Sequence, residues 1–475
     1  MGYDEEYFKG EEFQELLESY EMAVQSGELP FMDADDLVDI ADYYSMQGSL
    51  EEAMKAVDYA LDFYPGATLP NVFKAREALM ADDIPTAHFY ADQIDDHDAP
   101  DYHYLQAEIW IAENRIDEAD NYLRQYAHSV PPDECQDFVK DCANLYINYG
   151  ISDKAYEWLM RSKGDDSDDY KELMAHILFG LGKYKDSERI FNELIDHDPY
   201  SKYYWNALAN AQFMNEDYAG AITSSEYAIA IDPSDAEGII SKANGLFRLG
   251  NYEEALKYYR RYSENIPDDE VALLHQGVCL VNIEHTEEAL DVLQEALELA
   301  LPDSEHLVAI YQELAFCYSH LKQPEKAMEM MEKTETLPCD HIEMLVVKGH
   351  LQLENGLVDE ALECFKNAIV RSDNMPAVIL RVIVSLYDNH YVNACYEMFQ
   401  RFFRYVRQIE QDYNEGYAYM ALCCYDLGRT AEFLTYLREA ARRNAYEARL
   451  VLGFLFPDGM EPKDYYQYMK DKLNQ

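Results

Sequence analysis

Residues 203–235 read YYWNALANAQFMNEDYAGAITSSEYAIAIDPSD, and residues 236–269 read AEGIISKANGLFRLGNYEEALKYYRRYSENIPDD. Laid over each other, the two stretches share a skeleton. Tyr218 falls on Tyr252, Ala221 on Ala255, Ala228 on Tyr262 and Pro233 on Pro267. The offset is 34 residues, and it continues outward: Ser187 lies 34 before Ala221, and Ala289 lies 34 after Ala255. A fixed period of this size marks a repeat architecture, in which each unit buries its apolar face only by stacking on its neighbours.

Further copies lie on both sides. Tyr311-x-x-Leu314-Ala315-x-x-Tyr318 is followed by Ala327-x-x-x-Met331 and Pro338. Leu37-x-x-Ile40-Ala41-x-x-Tyr44 is followed by Ala53-x-x-x-Val57 and Pro65. This skeleton resembles the tetratricopeptide repeat (TPR) family. The resemblance implies an all-α chain, with helix pairs wound into a right-handed α-α superhelix. The spacing has a physical cause. Small residues such as Ala41, Ala209, Gly277 and Gly349 stand where two helices cross, and large apolar residues fill the groove between them. A proline just beyond the second helix stops it.

With the central alanine as phase marker, repeats fall at Ala53, Ala87, Ala119, Ala155, Ser187, Ala221, Ala255, Ala289, Ala327, Ala361, Ala394 and Phe433, about twelve in all. Gly48, Gly150, Gly182, Gly250, Gly356 and Gly428 occupy turns that call for a left-handed residue. The stretch from Arg401 to Tyr417 suggests a second helix lengthened by about one turn, roughly 3.6 residues. Residues 1–33 are expected to cap the solenoid. Within them one helix over 9–26 presents Phe13, Leu16, Leu17, Tyr20 and Val24 at helical spacing and ends at Gly27. The repeats then occupy residues 34–447, and 448–475 form a C-terminal cover.

The 475 residues carry a formal net charge of −54, which argues against direct binding to nucleic acid or anionic membranes. The charge is uneven. Residues 1–100 hold 25 acidic side chains against 4 basic ones, and residues 371–475 hold 14 against 13. The nine cysteines form no C-x-x-C pair. Cys142, Cys279, Cys317 and Cys423 fall among packed positions, and reduced thiols suit a cytoplasmic address. No apolar run is long enough to span a bilayer.

The motifs of enzymes are missing. There is no P-loop, nucleophile elbow, H-E-x-x-H or dinucleotide fingerprint. His97 and His197 lie between carboxylates, but a histidine at the end of a helix already has a favourable site in the helix dipole, so no metal is assigned. The reading is a non-enzyme that needs no cofactor, with its function on its surfaces.

In TPR proteins the ligand lies on the concave face lined by first helices. By resemblance, the residues facing it begin with Asp35, Asp39, Asp42, Phe73 and Arg76. Asp101, Tyr104, Glu108, Lys140, Asp141 and Asn144 follow, and then Glu172, His176, Tyr203, Asn206, Asn210 and Phe213. Asn244 and Phe247 continue the series, with Glu313 and His350 further on. One TPR subclass grips chaperone carboxy-termini with a Lys/Asn/Arg clamp. Lys140 and Asn144 match its first half, but Leu173, Tyr203 and Ala207 stand where the remainder is required. The expectation is a scaffold or adaptor with an acidic, aromatic-lined groove for a protein or peptide, basic and carrying apolar anchors. The alternatives are a regulatory repeat protein that takes a small ligand and an acidic chaperone for basic nucleic-acid-binding proteins. Self-association through Arg401, Arg404 and Arg407 is not favoured, because these arginines are expected to pair with acids nearby in their own chain.

Overall fold

The computed structural model describes residues 5–26, 32–162, 164–409, 413–457 and 459–473. Among these the elements are 28 α-helices and one short 3-10 turn, with no strand. Twelve consecutive helix pairs run from Ala34–Met46 with Leu50–Phe63 to Tyr417–Asp426 with Thr430–Arg443. Lys202–Met214 with Tyr218–Ile231, and Ala236–Arg248 with Tyr252–Asn265, are the two units whose sequences first revealed the period.

Each turn between paired helices carries one residue at positive φ. Six are the expected glycines, with φ from 68° at Gly428 to 78° at Gly356. The other six are Asp82, Asn114, Glu216, Glu284, Lys322 and His390, with φ between 57° and 67°. The residue five positions later is always buried on the second helix, and this fixes the register. In the eleventh repeat the buried residue is Cys395, while the expected marker Ala394 is exposed. The alanine misleads by one position there because Cys395, not Ala394, stands five residues after the turn residue His390.

The small residues stand at crossings. Ala41 and Ala209 are buried, and a Cβ on Gly277 would come within 2.5 Å of Leu293. On Gly349 it would come within 2.5 Å of Phe365. Ser187 replaces the marker alanine without leaving an unmet hydroxyl, since its Oγ donates to the Ala175 carbonyl at 2.8 Å.

The chain divides into two compact units, Met1–Gly220 and Ala221–Gln475. In the first, Phe8, Phe13, Leu17 and Tyr20 cover the apolar side of the opening pair, against Leu37, Ile40 and Val57. The helix expected over 9–26 is instead two, Glu5–Lys9 and Glu11–Ser26, joined at Gly10. Val24 is exposed, while Phe8, which precedes the expected helix, is buried in this core. Gly27 lies outside the described residues.

In the second unit the helix Val392–Ile409 has 18 residues, where Val358–Arg371 has 14, in keeping with the expected extra turn. The helix Ala445–Leu452 begins three residues before the expected start of the C-terminal cover, and Asn444 Oδ1 caps it by accepting from the Glu447 amide at 3.0 Å. Ala448, Val451 and Leu452 are buried, and Phe456 stacks on Tyr465 at 3.7 Å.

Candidate partner-binding groove

Within the first unit, successive first helices bring charged and aromatic side chains to one surface. The helix Pro100–Ala112 carries Tyr104 and Glu108, one turn apart and therefore on one face. Arg76, on Thr68–Met80, reaches Glu108 with both arms of its guanidinium, Nε to Oε2 at 2.9 Å and Nη2 to Oε1 at 2.8 Å. Such a fork fixes both side chains. Tyr104 Oη donates to Asp141 Oδ2 on Cys135–Asn148 at 2.9 Å. Burial, and then the Asp141 charge, push the Tyr104 phenol well above its ordinary pKa, so it remains a donor. Together with Asp101, Asn144 and Tyr149 these residues line a hollow of about 420 Å³.

A second hollow of about 870 Å³ adjoins it and shares Asp141, Asn144 and Asn148. It adds Lys140, Asp169, Glu172, His176 and Tyr203. Lys140 Nζ lies 3.0 Å from Asp137, so it answers an acid of its own helix. Glu172 accepts from Tyr204 Oη at 3.0 Å, yet its burial still raises the carboxyl above the usual range. His176 is held below its ordinary pKa by burial, and the resulting neutral ring has Nε2 2.5 Å from Tyr203 Oη.

The other expected residues are placed differently. Asp39 accepts from Tyr7 Oη at 2.5 Å, and Asp42 is pushed up to about 6 by burial and then by Asp39. Phe73 leans on the core of the opening pair. Asp35 is exposed. None of these four lines either hollow. Asn206 is 2% exposed and belongs to the packing rather than to an open face. Asn210 is half-buried, and Phe213 meets the edge of Tyr218 at 5.3 Å. Asn244 and Phe247 belong to the second unit, where Asn244 accepts from Tyr259 at 2.7 Å and Phe247 packs on His275. Asn148, Tyr149 and Asp169 line the hollows and were not anticipated. The signal for Asn148 was present, since it follows Asn144 by one helical turn.

The second unit has a hollow of its own, about 610 Å³, lined by Phe403, Arg407, Tyr417, Tyr436 and Arg443 among others. Arg401, Arg404 and Arg407 form no ion pair among the described residues; Arg404 Nε donates to the Gln400 carbonyl at 3.2 Å. Glu410 and Asp412, the acids that follow them in sequence, lie outside the described residues. These arginines are exposed and lie on successive turns of Val392–Ile409.

Family models for the tetratricopeptide repeat match residues 173–236 and 308–335. The chain carries tetratricopeptide repeats. A model for anaphase-promoting complex (cyclosome) subunit 3 matches residues 205–296 of this TPR protein. It is similar to the TPR repeat-containing protein YpiA of Bacillus subtilis (strain 168), 22% identical over 388 residues, covering 72% of this chain and 89% of that one. It is also similar to the BBSome complex member BBS4 of Bos taurus, 24% identical over 139 residues, 29% of this chain and 26% of BBS4. Among solved structures it is similar to YrrB, described as a TPR protein with an unusual peptide-binding site. Identity is 20% and the TM-score 0.35, over 40% of this chain and 97% of that one. The repeats matched by these family models support a protein-interaction role. Among the described residues no helix is long and apolar enough to cross a membrane, and no three His, Cys, Asp or Glu side chains are grouped to hold a metal.

Proposed function

We propose that this TPR protein is a non-catalytic scaffold whose first unit holds a basic, extended or helical segment of a partner protein in its acidic groove. The observation that carries the reading is the adjacency of the two hollows on either side of Asp141, Asn144 and Asn148. Asp101, Asp141, Asp169 and Glu172 outnumber the bases, and both bases are already answered, Arg76 by Glu108 and Lys140 by Asp137. Acids arranged in this way steer a basic segment and set its register, while Tyr104, Tyr149 and Tyr203 offer the rings on which apolar anchors gain affinity. The amides of Asn144 and Asn148 can both donate to and accept from a peptide backbone. A cytoplasmic setting, in which the nine cysteines stay free, accords with this role.

Cross-linking mass spectrometry on complexes captured at low salt tests the reading. We expect cross-links on the first helices between residues 68 and 214, to a partner segment rich in Lys or Arg. Charge reversal of Asp101 and Asp141 together should weaken that partner at least tenfold, mainly by slowing association. Cross-links confined to second helices, or an acidic partner segment, would remove the groove assignment.

A further inference from the structure

We infer that the C-terminal cover is a self-association surface, through which two copies of this chain join tail to tail about a two-fold axis. A terminal cover of a solenoid is expected to be apolar inside and polar outside. This one is apolar on both sides. Its inner face buries Ala448, Val451 and Leu452. Its outer face presents Tyr446, Leu450 and Phe454, which are 77%, 70% and 73% exposed. They recur every four residues along Ala445–Leu452 and the 3-10 turn Gly453–Leu455, so they form one stripe. Scattered apolar side chains on a surface are ordinary, but a contiguous stripe marks a contact.

Charge selects the occupant. Residues 1–370 carry 78 acidic against 25 basic side chains, so two copies repel along most of their length. The opposite end is the clearest case: the cap helix Glu11–Ser26 presents Glu11, Glu12, Glu15, Glu18 and Glu21 to solvent. Residues 371–475, with 14 acids against 13 bases, are the one large region that a second copy of so acidic a chain approaches without penalty. Beside the stripe, the exposed pair Arg449 and Glu461 brings both signs, which suits a surface that must complement itself. The stripe offers roughly 400 Å² of apolar surface, given 150–250 Å² for a full aromatic side chain. That is about half of the ~800 Å² per partner in a standard interface, so the rest comes from a polar rim. A head-to-tail contact of Arg401, Arg404 and Arg407 with the acidic end rests only on exposed charges, which contribute little.

Sedimentation equilibrium of the full chain over a concentration series, at low and high salt, tests the inference. The mass should approach twice 55.2 kDa, stop there, and persist at high salt. Leu450→Glu, and separately Phe454→Glu, should raise the dissociation constant at least tenfold with an unchanged helical circular dichroism spectrum. A monomer at every concentration overturns the inference. So does a dimer untouched by both substitutions, or a ladder of larger species that salt dissolves.

Discussion

Gly250, at φ 74°, and Glu284, at φ 63°, hold the same place in consecutive turns. A left-handed backbone costs an ordinary residue about 1–2 kcal/mol and costs glycine nothing in steric terms. A Cβ added at Gly250 would meet no atom within 4 Å, so substitution there probes the backbone alone. We expect Gly250→Ala to destabilise by about 1 kcal/mol and Glu284→Gly to stabilise by a similar amount, both read from denaturant midpoints at constant slope. Glu313 is a different single-residue case. It is half-buried, has no hydrogen bond or ion pair to any described residue, and its carboxyl is pushed up to about 7 by burial. The folded state thus holds a proton that the unfolded chain releases near the ordinary carboxylate pKa, and this contribution to stability falls as pH rises from about 4.5 to 7. Glu313→Gln should flatten that slope and gain about 1–2 kcal/mol at pH 7.5, allowing for the part that solvent screens. Thermal melts of both proteins across that range check it, and parallel curves would refute it.

Between elements, the third and fourth pairs are joined by a buried charge. Asp120, 5% exposed, accepts from Trp158 Nε1 at 2.9 Å and from Arg124 Nε at 2.7 Å, with Lys154 Nζ at 3.3 Å. Burial would raise this carboxyl, but the hydrogen bonds from Arg124 and Trp158 outweigh it and hold it low. Asp120→Ala strands the Trp158 N–H in the core and should cost about 2–4 kcal/mol, while Trp158→Phe, which removes the donor and keeps a smaller aromatic ring, should cost about 1–3 kcal/mol. Urea titrations followed by circular dichroism distinguish the two. The crossing at Gly277 offers a second test. Gly277→Ala pushes on Leu293 and should cost about 1–3 kcal/mol, and Leu293→Ala should return part of it in the double variant. Additive losses would mean that the helices do not meet there as closely as 2.5 Å implies.

For the molecule as a whole, a net charge of −54 is a standing repulsion that folding concentrates. Salt screens it over a Debye length of about 10 Å at 0.1 M. We expect the melting temperature to rise with added sodium chloride, while association with a basic partner slows. A melting temperature that falls would show that ion pairs such as Arg76–Glu108 outweigh the repulsion.

Much of this was legible in the sequence, because the period of 34 sets helix pairs, turns and crossings by local rules: glycine where φ is positive, a small residue where helices touch. Hence the twelve pairs, the buried alanines and the lengthened helix before Ile409 follow from the order of residues alone. The candidate groove was legible in part. Tyr104 and Glu108 share a face by helical spacing, and Arg76 holds the place of Glu108 in the preceding repeat; both are sequence properties. That Arg76 is held by Glu108, that Asn206 is inside, and that Asn148 and Asp169 join the hollows depends on how neighbouring helices meet, which no single helix encodes. The slip at Ala394 and the exposed stripe of Tyr446, Leu450 and Phe454 have the same cause. A sequence states which residues are apolar, and only the packed neighbours decide which of them remain in water.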